Sequence, residues 1–279
     1  MKKIIQKSIW VSSVFLLMFV MNSCLENTDL VTENAKTGGL VSPSLAKFPY
    51  KLGATPSFDI PIVVPVGPAV TSIKVMNSYS NLVDEVESNE VLMTTLDVAG
   101  ANATEAVTKT LTVDYADLIK DLVIDGGPMP ADELTLNIGD FWEIRYITVM
   151  ADGREVVNNA NTVVAVANQY AGDYLCTGVF HHPTAGDRPI NEEKFLTPVT
   201  ATKCWTLLGD LGSSGYDIYI DVNADNSCTV TMGPNEITEV FMSAGLPNEF
   251  DPATKEFDLS YFYIGATGNR VMEENYEPL

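Results

Sequence analysis

The chain has 279 residues, 37 acidic and 16 basic side chains, and a formal net charge of −21. Nucleic-acid binding rests on clusters of Lys and Arg that neutralise phosphates, so this balance excludes it. The same charge argues against a peripheral grip on anionic lipid and favours solubility.

The chain begins "MKKIIQKS", a basic start, followed by an apolar run from Ile9 to Met21, "IWVSSVFLLMFVM". A basic start, an apolar stretch of roughly 7–15 residues and small residues at a cleavage point make a secretory signal. A membrane-spanning helix needs roughly 20 apolar residues. The run ends in "MNSC", which resembles a loose lipobox of the kind found in Bacteroidota lipoproteins, with Met21 in the usual leucine place. That resemblance implies a signal over residues 1–23, lipid on Cys24, and membrane attachment by acyl chains without a transmembrane helix. Removing residues 1–23 takes away Lys2, Lys3 and Lys7 and no acid, leaving 37 acidic side chains against 13 basic ones. Residues 24–40 are polar and unpatterned, a tether. Glu26 and Asp29 resemble the acidic export signal of such lipoproteins. The expected location is therefore the outer membrane, periplasmic or surface-exposed, with the surface favoured.

About 240 residues follow, enough for two domains. Period-two alternation broken by turn residues points to β structure throughout. In the first half, 41–167, strands are predicted over 58–66, 71–77, 90–98, 108–114, 133–138, 141–150 and 161–167. "DEVESNE" (84–90) is a solvated loop, and Asp152-Gly153 makes a tight hairpin turn. One helix is predicted, "DYADLIKDL" (114–122), capped by Asp114 with Tyr115, Leu118, Ile119 and Leu122 on one face. Seven strands with one short crossing helix suggest an immunoglobulin-like or fibronectin-like sandwich.

In the second half, 168–279, strands are predicted over 173–180, 194–199, 202–208, 216–222, 227–232, 237–242, 256–264 and 269–276. Their connectors are mostly short, so neighbours in sequence are antiparallel neighbours in space. Such a β-meander closes into a small lipocalin-like barrel or folds over as a sandwich, and closure removes exposed edges. The chain is thus expected to be all-β.

Besides Cys24 there are Cys176, Cys204 and Cys228. An odd number allows at most one pair, and all three lie in alternating apolar segments. We read them as small buried side chains. No CxxC or metal-ligand spacing occurs. "DVNADNSC" (221–228) alternates like an EF-hand loop but has Asn226 where that loop needs glycine and Met232 where it needs glutamate, so it is a hairpin turn. "GDLGSSGY" (209–216) lacks the lysine and the following helix of a phosphate loop. Neither G-x-S-x-G nor H-E-x-x-H is present. No catalytic residue, metal or cofactor is expected.

Aromatic residues are the stronger signal. In "KCWTL", Trp205 shares a face with Lys203 and Leu207, opposite Cys204. Tyr219 lies between Ile218 and Ile220. Tyr261 and Tyr263 share a face, with Phe262 on the other. Outward Trp and Tyr stack on the apolar faces of sugar rings; the alternative is that they fill a barrel interior or a domain contact. The only two histidines, His181 and His182, stand in "HHPTAGDRPINEEK". Adjacent strand residues point to opposite faces, so they cannot readily share a metal. Pro183, Pro189 and turn residues predict a loop of about thirteen residues between Phe180 and Lys194. Arg188 has Asp187, Glu192 and Glu193 as possible partners, and a His–acid pair is a further option. Trp205, Tyr219, Tyr261, Tyr263, His181, His182 and Arg188 are thus the candidate ligand-binding residues.

Tyr170, Gly172 and Tyr174; His182 to Thr184; Glu193-Lys194; Gly209 to Gly212; and Gly268 with Arg270 together form a pattern. It resembles the C-terminal domains of Bacteroidota surface lipoproteins of unknown function, of the kind associated with SusC/SusD-type polysaccharide uptake. The first half is similar to the Ig-like domains paired with them. The resemblance implies non-catalytic glycan binding at the cell surface, with polysaccharide and SusC/SusD-like proteins as partners. It supplies no catalytic residue. Two other functions stand beside it: a structural or assembly partner, such as an uptake-complex or fimbrial subunit without glycan affinity, and a hydrolase, which would need two acids or a His–acid pair converging in a cleft.

Overall fold

The computed structural model describes residues 37–209, 216–234 and 239–279. Cys24, the signal and most of the tether lie outside the described residues, as do Asp210 to Gly215. Among the described residues no helix is long and apolar enough to cross a membrane.

The first half builds two facing sheets. Its strands are β1 (Ser42–Pro43), β2 (Lys47–Lys51), β3 (Phe58–Val64), β4 (Val70–Asn81), β5 (Val86–Glu87), β6 (Val91–Asp97), β7 (Val107–Val113), β8 (Val123–Ile124), β9 (Gly127–Pro128), β10 (Phe141–Met150) and β11 (Glu155–Ala167). One sheet has the order β1-β3-β7. The other runs β2-β11-β10-β4-β5, with β6 also on β4, and β8 pairs with β9 as a separate ribbon. β10 alternates strictly, and its inward residues Trp142, Ile144, Tyr146, Thr148 and Met150 are all buried. Trp142 is the hub. The rings of Tyr79, Tyr50 and Tyr115 lie 5.1, 5.9 and 6.2 Å from it. Burying side chains of this size contributes roughly 2–3 kcal/mol each.

The predicted helix is α1 (Tyr115–Ile119). Asp114 caps it, accepting from the Asp117 N–H at 2.9 Å, and Asp117 answers as the second half of a capping box. Leu118 and Leu122 close the core beneath. The strand expected over 133–138 is instead a 3-10 turn at Glu133–Thr135, because the Asp132 side chain accepts from the Leu134 N–H. The Tyr50 hydroxyl then donates to Glu133 at 2.5 Å.

The second half is a meander of β12 (Gly172–His182), β13 (Gly186–Pro198), β14 (Lys203–Leu207), β15 (Asp217–Val222), β16 (Cys228–Met232), β17 (Val240–Met242), β18 (Glu249–Phe250), β19 (Phe257–Gly265) and β20 (Gly268–Pro278). The sheet order is β16-β15-β14-β13-β12-β20-β19-β17. Its two ends meet: the Cys228 N–H donates to the Asn248 carbonyl at 2.7 Å, and Met242 lies against Val230. The sheet is thus a nearly closed barrel, and the fold is all-β.

Two hydrophobic clusters form. One gathers side chains from Val41 to Val166; the other runs from Tyr170 to Tyr276. Ala201, from the turn between β13 and β14, joins the first. Asn168 pins that turn, donating to the Thr200 carbonyl at 2.6 Å. Cys176, Cys204 and Cys228 are free and buried.

The histidine stretch is not the long loop the prolines suggest. β12 and β13 pair without interruption from Gly172↔Leu196 to His182↔Gly186, leaving only residues 183–185 as the turn. Pro189 is accommodated because β13 pairs with β14 only at Thr197 and Pro198, so at Pro189 it is an edge strand.

Candidate functional site

The outer wall of β13–β16 presents a row of side chains set by register. Thr197 lies opposite Trp205, Trp205 opposite Tyr219, and Tyr219 opposite Thr231. Alternation sends Cys204, Thr206, Ile218 and Ile220 into the barrel and leaves Trp205 and Tyr219 on the outside, each partly exposed. One step along the strands, Lys203 faces Asp221 in a 3.2 Å ion pair. Asp221 also accepts from the Thr202 hydroxyl at 2.8 Å, and the Lys203 ammonium stands 5.8 Å from the Tyr219 ring centre. Phe195, Val199 and Leu207 are exposed on the same outward face. The wall thus combines two aromatic rings, an apolar margin and a fixed pair of hydrogen-bonding groups, the ingredients for holding a ligand with both apolar and hydroxylated faces.

The other candidates divide. Tyr261 and Tyr263, which the sequence left as either exposed rings or filling for a barrel interior, are buried inside the barrel, and Phe262 takes the outer side, stacked on Phe241 at 5.3 Å. The reason is position in the sheet: the inward face of β19 already carries Phe257 and Leu259. His181 is on the outer wall. Its Nδ1 meets Asp187 at 2.9 Å and its Nε2 lies 3.6 Å from Glu273. The hydrogen bond to Asp187, opposed by slight burial, raises its pKa above the ordinary histidine value. A His–acid pair therefore exists, but with carboxylates on both nitrogens it favours imidazolium over a free base. His182 faces the other way, and its Nδ1 accepts the Ala185 N–H at 2.9 Å. Arg188 sits 4.4 Å over the Phe180 ring, and Arg270 5.5 Å over Tyr263.

One group inside the barrel has no counterpart among the candidates. Lys194 and Glu274 form a 2.7 Å ion pair, with both side chains at 0% exposure. The Tyr261 and Tyr276 hydroxyls donate to Glu274 Oε2 at 2.7 and 3.1 Å. Lys194 also donates to the Leu207 carbonyl at 3.1 Å, and Cys176 Sγ lies 3.5 Å from Glu274 Oε1. Burial alone would lower the lysine pKa; the Glu274 carboxylate outweighs it, and the net shift is upward. Burial drives the Cys176 thiol and both tyrosines up. The sequence signal was the lysine of "EEK" at an inward position of a strand, which only a register could reveal.

Among the described residues no group of His, Cys, Asp and Glu is arranged to hold a metal ion. A cleft of about 380 Å³ lies where the two halves adjoin, lined by Lys51, Gln169, Asp173, Tyr174 and Lys255 among others. It offers one aromatic ring.

Residues 158–277 match the model of a domain family described as "-like, C-terminal". No curated protein matches the chain. Among solved structures, a crystal structure of a protein of unknown function from Bacteroides ovatus is similar over 87% of this chain and 90% of its own, with 11% identity and a TM-score of 0.32. A likeness at that level bears on neither fold nor function.

Proposed function

We propose that the protein is a non-catalytic, lipid-anchored cell-surface protein that binds glycan on the outer wall of its barrel. The observation that carries this reading is the cross-strand pair of Trp205 and Tyr219, partly exposed and flanked by the Lys203–Asp221 pair. Aromatic faces supply apolar contact to sugar rings, and the flanking charges supply hydrogen bonds to hydroxyls. Anchoring through Cys24, an outer-membrane location and partnership with SusC/SusD-like proteins belong to the same proposal and rest on the sequence resemblances. The test is calorimetry of the full chain in detergent against a broad polysaccharide panel. Binding that Trp205→Ala weakens by roughly 30-fold supports the reading; no binding to any member, or binding indifferent to both Trp205→Ala and Tyr219→Ala, overturns it.

A second reading, a structural or assembly partner, draws on another wall. Phe241 is exposed and stacks on Phe262, with Ile264 exposed beside them on β19. Co-purification of one dominant protein, lost in Phe241→Ser and unaffected by Trp205→Ala, would favour it.

A further inference from the structure

Lys194 and Glu274 come from strands that are not neighbours. β12 lies between β13 and β20, so the two backbones are separated by two strand spacings, roughly 9–10 Å. The side chains meet across the inner face of β12. Lys194 stands opposite Tyr174 and Glu274 opposite Gly178, two residues to either side of the inward Cys176, so the two long side chains converge over that small residue, whose Sγ lies 3.5 Å from Glu274 Oε1. The pair is fully buried, and a charged pair in such a place is no more stable than a neutral packing of similar volume.

What surrounds the pair has a chemical order. An amine nitrogen touches one oxygen of a carboxyl group at 2.7 Å. Two tyrosine hydroxyls hold the other oxygen. A second carboxylate, Glu192, reaches in from the barrel wall: its Oε1 lies 3.7 Å from Lys194 Nζ, and that buried atom has no hydrogen-bond partner. Nucleophile, electrophile, oxyanion donors and an idle proton acceptor are thus gathered in a site of low dielectric.

We propose that Lys194 and Glu274 condense into an intramolecular isopeptide bond that ties β13 to β20 across β12. The ion pair is the starting state. A proton moves along the Nζ–Oε1 hydrogen bond, giving a neutral amine and a neutral carboxyl group. Nζ attacks Cδ of Glu274, and the carbonyl electron pair moves onto Oε2, where the Tyr261 and Tyr276 hydroxyls stabilise the oxyanion. Glu192 takes a proton from the attacking nitrogen and returns it to the Oε1 hydroxyl. The Cδ–Oε1 bond breaks, water leaves, and the carbonyl re-forms at Oε2. Glu192 ends as it began, and no oxidant or co-reactant is consumed. Fixed contact replaces a bimolecular encounter, which lowers the barrier to such a step. The product is an amide in place of two buried charges.

The test is intact mass spectrometry of the purified full chain, with trypsin mapping. The expected mass is lower than that of the unlinked chain by one water. The digest should contain a branched peptide joining the stretch that carries Lys194 to the stretch 271–279. Recovery of 271–279 as a free linear peptide, with an unreduced intact mass, overturns the proposal without recourse to any variant. Glu192→Gln tests the relay and, at a partly exposed position, spares the core. Accumulation of unlinked chain, at least tenfold above wild type, supports the relay, and full linkage overturns it.

Discussion

Gly178→Ala should cripple the barrel. Gly178 sits on the inward face of β12 with φ at 155°, and a Cβ there would lie 1.9 Å from the Glu273 carbonyl oxygen. Ordinary contact begins at 3.4 Å, so the methyl is about 1.5 Å too close. The obstacle is backbone of the adjacent strand, the Cβ lying also 2.9 Å from the Glu273 carbonyl carbon and 3.0 Å from the Glu274 Cα, and backbone has no rotamer to escape into. β12 and β20 must therefore part. That breaks at least two ladder hydrogen bonds, worth about 1 kcal/mol each, and opens space beside Phe180 and Met272. The sum is about 3–5 kcal/mol, in the range reserved for real steric conflict. Gly186→Ala is the control. Its φ is 82°, but nothing lies within 4 Å of a Cβ there, so only the left-handed backbone penalty of about 1–2 kcal/mol applies. Urea unfolding followed by circular dichroism gives both numbers. A Gly178→Ala cost within 1 kcal/mol of that of Gly186→Ala would refute the close approach of the two strands.

Leu118→Ala, on the buried face of α1, should cost about 2–5 kcal/mol and loosen the core that Leu118 shares with Trp142; an unshifted tryptophan emission together with unchanged stability would contradict this. Trp205→Ala should change stability by no more than about 1 kcal/mol, since the ring is partly exposed, while reducing glycan affinity by roughly 30-fold as a hot-spot loss near 2 kcal/mol. Asp187→Asn removes the largest cause of the raised His181 pKa, so an NMR titration should show that pKa falling toward the ordinary value. The sign of the linkage follows: the stabilisation His181 gains is complete below about 6.5, its unfolded value, and is lost as pH rises through the higher folded value. The three buried thiols, with Cys204 and Cys228 pushed up to about 12 by burial, should resist a thiol reagent in the folded chain and react in urea; rapid reaction of any of them without denaturant would place that thiol at the surface.

Alternation was enough to set β15, because Ile218, Ile220 and Val222 share one side and Tyr219 and Asp221 the other, and in β14 the small Cys204 on the inner side left Trp205 to the outer one. It could not decide β19, where Tyr261, Phe262 and Tyr263 make both faces aromatic; only the sheet around them says which is inside. β1 and β2 were hidden by brevity and by Pro43 and Pro49. The extension of β13 through Pro189 was hidden because a proline marks a strand's end unless the strand has a free edge. Lys194 and Glu274 were beyond reach for a different reason. Eighty residues separate them, and each alone looks like a solvated charge.

β2 and β11 pair in parallel, from Lys47↔Val163 to Lys51↔Ala167. A pull that enters the sandwich ahead of β2 and leaves it through β11 toward the barrel drags these strands in opposite directions along their common axis. All five residue pairs then carry the load at once, as rivets in a lap joint do, where a hairpin pulled at its open end would yield one bond at a time. The sandwich is in this sense wired as a tension member, stiff along the common axis of β2 and β11.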